Sequence, residues 1–149
     1  MKIEKIINCI KIMAVLLLFS AFDAHAQAIA QDVLDEVTIK RNGYTGIIKV
    51  KFRIPLRYIS HNPEQTGNEV RIKVDFLNPN ARNAVKSGEA NLRESIVPRY
   101  KYSFGLEEVS YETVLRDNYI TLYFEKEVSF EIIQDPDYRS ISIIVHDLK

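Results

Sequence analysis

The feature that most constrains this chain is a strict alternation of apolar and polar residues. Residues 47–54 read IIKVKFRI, with Ile48, Val50, Phe52 and Ile54 on one parity and Lys49, Lys51 and Arg53 on the other. Residues 70–76, VRIKVDF, repeat the pattern with Val70, Ile72, Val74 and Phe76 against Arg71, Lys73 and Asp75. Ile120, Leu122 and Phe124 share one parity further on, as do Ile141, Ile143 and Val145. Successive side chains of a strand point to opposite faces, so period two over so many segments means sheet with one buried face. Gly43, Asn62-Pro63, Thr66-Gly67, Asp117-Asn118 and Asp135-Pro136 punctuate the runs as turns. Residues 79–95, PNARNAVKSGEANLRES, lack the alternation and read as a connecting loop with room for a short helix.

The alternation itself recurs. Shifted by 72 residues, Glu36-Val37 falls on Glu108-Val109, Ile48 on Ile120, Phe52 on Phe124, Leu56 on Val128 and Tyr58 on Phe130. After one residue is deleted in the next loop, Ile72 meets Ile143 and Val74 meets Val145. One small sheet cannot bury its apolar face alone, so the halves 36–76 and 108–148 are expected to pack face to face. The expectation is an all-β fold, a two-sheet β-sandwich with an internal pseudo-twofold repeat, its halves linked by 79–95.

The amino terminus bears on location. A mildly basic start, MKIEKIINCIK, precedes the apolar stretch IMAVLLLFSAF (12–22), and Ala24-His25-Ala26 supplies small residues before Gln27. That order is the one a cleaved secretory signal peptide requires, so 1–26 is read as a signal and 27–149 as one exported domain. A retained membrane anchor is the alternative, but a span takes about 20 apolar residues. Cys9 leaves with the signal, so the mature chain has no thiol, and His61 and His146 are its two histidines. Its charges are 17 basic against 18 acidic, a balance that argues against nucleic acid as a partner. They are unevenly spread: residues 27–86 carry ten basic and six acidic groups, residues 87–149 seven and twelve.

Two repeated strand units behind a signal peptide resemble the AMIN domain, and PLRYISHNPEQTGNEVRIKV (55–74) is most similar to the opening domain of certain periplasmic tetratricopeptide-repeat proteins. The resemblance covers nearly all of 33–148. It implies a periplasmic, non-catalytic sandwich module of the Gram-negative cell envelope, of the kind found beside N-acetylmuramoyl-L-alanine amidase domains and in secretins. No binding residue carries over from that family.

Few residues invite a chemical role. Ser60 and His61 are adjacent, but neighbours on a strand face opposite ways, and a nucleophile needs its base within hydrogen-bond reach. Parity with Leu56 and Tyr58 sets Ser60 near the core edge and His61 at a turn. No glycine-rich phosphate loop, metal-ligand cluster or catalytic set is present, so no enzyme activity, metal or cofactor is expected. Asp135-Pro136-Asp137 reads as a hairpin turn. Lys49, Lys51, Arg53, Arg57, Arg71 and Lys73 fall on the outward parity of the first half, a basic stripe suited to an anionic cell-wall glycan or an acidic envelope protein, or simply to solubility. PRYKYSFG (98–105) sets Arg99, Tyr100 and Tyr102 beside the inter-half loop, as a sugar or peptide contact or as one more buried strand face. Two functions follow: a module binding peptidoglycan or an envelope protein, or an adaptor of a secretion or envelope machine that pairs strands at a sheet edge. Intact-mass analysis of the exported protein should find a chain beginning at Gln27; retention of the apolar stretch would refute cleavage.

Overall fold

The computed structural model of the chain describes residues 32–87, 93–99 and 104–146. The segment read as a signal peptide lies outside them, and so do Tyr100 and Tyr102. The elements in order are β1 (Leu34–Asn42), β2 (Thr45–Phe52), β3 (Leu56–Asn62), β4 (Thr66–Phe76), α1 (Pro79–Ser87), β5 (Arg93–Ile96), β6 (Leu106–Val114), β7 (Asp117–Gln134) and β8 (Ser140–His146). The fold is mostly β, and every strand pairing is antiparallel. No helix among the described residues is long and apolar enough to cross a membrane.

Alternation produced the strands. Along β2 the even residues Gly46 to Phe52 are buried and the odd ones half-buried, and β4 from Val70 onward repeats this. Ile48, Val50, Ile72, Ile120, Leu122, Ile141 and Ile143 are fully buried in one apolar cluster. Val37 and Ile39 of β1 are only partly buried, because β1 is paired on one side alone.

The sheet path runs β1-β2-β8-β7-β4-β3, with β6 also on β7 and β5 on β6. The eighteen-residue β7 makes this possible. Its first part, Asp117 to Phe124, is held between β4 and β6, while Ser129 to Gln134 pairs with β8. Between the two parts Glu125, Lys126 and Glu127 are all exposed. There Glu125 N–H donates to Gly105 O at 2.8 Å. Gly105 has φ +67°, and a Cβ on it would stand 2.8 Å from Glu125 Cβ, so only glycine lets the chains approach.

Hydrogen bonds from side chains and from the main chain bridge the seams where strands do not pair. The Glu94 carboxylate of β5 accepts from Val33 N at 2.8 and 2.9 Å and from Leu34 N at 2.9 Å, at the β1 bulge. Burial pushes the Glu94 carboxyl up despite these bonds. At the opposite margin Tyr58 N–H donates to Gln134 Oε1 at 2.7 Å and Leu56 N–H to Tyr138 O at 2.8 Å.

Within the stretch 79–95, residues 79–87 form a helix and 93–95 lie in a strand, while 88–92 lie outside the described residues. Pro79 opens α1, and Asn78 Oδ1 accepts from Asn80 N–H at 2.9 Å as the cap. Residues 93–96 are the four-residue strand β5, too short for an alternation to stand out in sequence.

Phe52 and Phe124 are 3% and 4% exposed. Truncating either to Ala should cost about 3–5 kcal/mol in denaturant melts, much of the roughly 5–15 kcal/mol a domain has. Lys51→Ala and Tyr123→Ala should leave the melts nearly unchanged. A neutral Phe124→Ala beside an unfolding Tyr123→Ala would reverse the register.

Candidate functional site

Ser60 and His61 do not meet as a catalytic pair. Both lie on β3, before the turn rather than in it, and a bulge between Tyr58 and Ser60 breaks the parity. Ser60 is therefore exposed, not at the core edge. His61 is half-buried instead, its ring 5.8 Å from that of Phe130. Both its nitrogens are engaged: Nδ1 with Tyr58 Oη at 2.6 Å and Nε2 with Glu64 O at 2.9 Å. Because a carbonyl only accepts, Nε2 carries the proton in the neutral ring and Tyr58 donates to Nδ1.

The six cations of the stripe do not form one surface. Lys49, Lys51 and Arg53 belong to β2 and its end, while Arg57, Arg71 and Lys73 sit on β3 and β4, with β8 and β7 in between. Each has a carboxylate. Lys49 pairs with Asp135 at 2.5 Å, Lys51 with Glu36 at 2.7 Å and Arg53 with Asp35 at 3.6 Å. Arg57 reaches Asp75 at 3.6 Å, Arg71 reaches Glu112 at 2.7 Å and Lys73 reaches Asp117 at 2.7 Å. Arg71 also lies 4.0 Å over the Tyr119 ring. The hydrogen bond with Lys73 holds Asp117 below the usual carboxylate range, and the same bond raises Lys73. Arg99 is exposed. The Asp135-Pro136-Asp137 stretch is a turn, closed by Tyr138 N–H on Asp135 O at 3.0 Å.

The end of the molecule near the β6–β7 hairpin is different. A cleft of about 350 Å³ opens there, lined by Ile59, Lys73, Asp75, Arg82, Arg116 and Asp117. Lys73 and Arg82 are spoken for by Asp117 and Asp75, at 2.7 Å each. Arg116 has no ion pair among the described residues. Asp117-Asn118, expected as the turn, instead begins β7, and the two-residue connection is Leu115-Arg116. Both have positive φ, 50° and 75°. A hairpin of this type favours Asn-Gly, and a left-handed conformation costs other residues about 1–2 kcal/mol. Leu115 is 95% exposed, with Val114 and Ile59 partly exposed nearby in sequence and cleft.

The tip is held by what lies beneath it. Tyr111, fully buried, donates to Asn118 Oδ1 at 2.9 Å, and Thr113 Oγ1 donates to the same oxygen at 3.0 Å. Burial pushes the Tyr111 hydroxyl up to about 12, so it stays a donor at neutral pH. Such a network over-determines the backbone, which is how strained residues persist. Sequence reasoning missed Leu115 and Arg116; the available signal was a hairpin without glycine or asparagine at its centre. Compared with known protein families, curated proteins and solved structures, the chain matches none.

Asp135 gives the stripe its firmest pair. Its side chain is only 19% exposed and accepts from Lys49, Ser140 and Ser142. The Lys49 bond, then the Ser140 bond, hold its carboxyl below the ordinary range. Asp135→Asn should cost about 1–2 kcal/mol at pH 7. A depressed carboxyl stabilises fully above its unfolded value, so the difference between proteins should hold down to about pH 4. It should then fade as pH falls through the lower folded value. Urea melts across that range test this, and a difference independent of pH would refute the ionic origin.

Proposed function

We propose that this chain is an exported, non-catalytic module of the bacterial cell envelope, AMIN-like in build, that holds a protein partner at the β6–β7 tip. The proposed build is a two-sheet sandwich of two copies of one unit. Element boundaries support it. Leu34–Asn42 and Leu106–Val114 stand 72 residues apart, and so do the starts of β2 and β7. The bulges at Leu34/Glu36 and Leu106/Glu108 keep the same offset. Registers agree too: Ile48 faces Ile143 in one half, and Ile120 faces Ile72 in the other. On this reading the copies exchange their last strands, β8 joining β2 and β4 joining β7. One layer is then β3, β4, the first part of β7, β6 and β5, and the other is β1, β2, β8 and the rest of β7.

The observation that carries the choice of a protein over a glycan is the exposed Leu115 beside Arg116, which has no ion pair among the described residues. Burying a leucine contributes about 1.5–3 kcal/mol, which a partner's apolar side chain supplies and a polyanion does not. Arg116 adds a fork for a carboxylate on that partner. The stripe, by contrast, has its cations engaged within the molecule, so a polyanionic glycan must compete with carboxylates already in place. Peptidoglycan binding is the second candidate and sheet-edge pairing the third, the latter favoured by the open margin of β1.

Exchanging the tip for Asn-Gly (Leu115→Asn with Arg116→Gly) separates these readings. The double variant should be more stable by about 1 kcal/mol, because the left-handed strain is relieved. It should lose an envelope protein that cross-links to the wild type. Retention of both proteins on purified cell-wall sacculi, with equal affinity, would overturn the choice in favour of glycan.

A further inference from the structure

Among the described residues, strand β1 is an open margin of the sheet beyond its first residues, which lie against β5. β2 takes one side of it. On the other side Glu94 satisfies Val33 and Leu34, and beyond them no described residue bonds to the backbone of Asp35 through Asn42. Asn42 and Thr45 close a two-residue hairpin, so residues 36, 38, 40 and 42 turn their main-chain groups to β2. Val37, Ile39 and Arg41 turn theirs outward, unpaired among the described residues. Side chains divide likewise. Val37 and Ile39 pack against the core, which leaves Glu36, Thr38 and Lys40 together on the outer face.

The order of charges along this margin is DEVTIKR, acidic at 35–36 and basic at 40–41. We infer that the margin is a self-association surface: a second copy of this chain pairs with it, β1 to β1, antiparallel about a twofold axis through Thr38. In that register Val37 of one copy and Ile39 of the other exchange their free N–H and C=O groups. Thr38 faces Thr38, and Glu36 faces Lys40 twice. These last pairs are of the non-hydrogen-bonded kind, where opposed Cβ atoms come within about 4.5–5.5 Å and opposite charges help most. Both partners are available. Lys40 has no ion pair among the described residues, and Glu36 holds only an exposed bridge to Lys51.

A lone lysine on an edge strand repels other strands. Here acid precedes base across a short apolar centre, so the strand is complementary to its own reverse. That is the arrangement an isologous interface requires. The apolar Val37 and Ile39 faces, partly open in one copy, then continue the core into the next. One pair of short strands is a small interface, so the association belongs to the weak, concentration-dependent class.

Sedimentation of the exported chain tests this, with circular dichroism confirming that each variant is folded. The wild type should dimerise reversibly. Glu36→Lys and Lys40→Glu, each opposing like charges at both pairs, should each raise the dissociation constant at least about tenfold. An equimolar mixture of the two variants should associate again, as should the double exchange, because both pairs become opposite in sign. A wild type monomeric up to about 1 mM would overturn the inference. So would a dimer indifferent to the exchanges, or a mixture that fails to restore association. Lys40→Glu removes no ion pair within the copy, so it decides the matter should Glu36→Lys not fold. The tip at 115–116 is untouched by these changes, and failure here leaves the partner-binding reading standing.

Discussion

Strand β7 is the element on which the rest of the structure depends. Its first part is paired on both sides, by β4 and β6, and its second part carries β8. An antiparallel strand held on both sides has its main-chain groups satisfied by the ladder, which permits full burial. Ile120, Leu122 and Phe130 are accordingly buried in the apolar cluster. The three exposed residues 125–127 mark where the strand passes from one set of neighbours to the other. Gly105 sits against that passage because a larger residue would collide with Glu125.

Pairing through β7 and β8 also decides the electrostatics. The basic first half and the acidic second half are laid across one another, so Lys49 meets Asp135, Arg71 meets Glu112 and Lys73 meets Asp117. Most of these pairs are too exposed to add much stability. Their effect is on recognition, since a cation with a carboxylate beside it presents little net field to a ligand. Among the described residues, Arg116 at the hairpin tip and Lys40 on the margin of β1 are two of the cations that have no ion pair.

The tip and the margin differ in what they leave exposed. At the tip, Leu115 is held in solvent by a strained turn that Tyr111, Thr113 and Asn118 fasten from below. Nothing in the packing of the described residues calls for a leucine there. At the margin, the outward main-chain groups of Val37, Ile39 and Arg41 are unpaired among the described residues, and the charges run from acidic to basic. The first offers apolar area, the second directional hydrogen bonds.

Strands β2, β4 and β8 were legible in the amino-acid sequence because period two is a local property, set by side chains that alternate regardless of what they meet. The buried Phe52 and Phe124 and the turns at Gly43 and Asp135-Pro136 followed from the same local rules. Strand β5 was not legible, since four residues carry too little pattern. His61 was misplaced because a one-residue bulge reverses every later parity, and the bulge depends on how β3 sits against β4. The β6–β7 turn was placed two residues late, since its Leu-Arg centre defies local preference and is imposed by the polar network beneath it. The basic stripe was a correct reading of which residues face outward. Only the tertiary structure could say what stands opposite them, because ion pairs between residues dozens of positions apart depend on strand order, and strand order is not a local property.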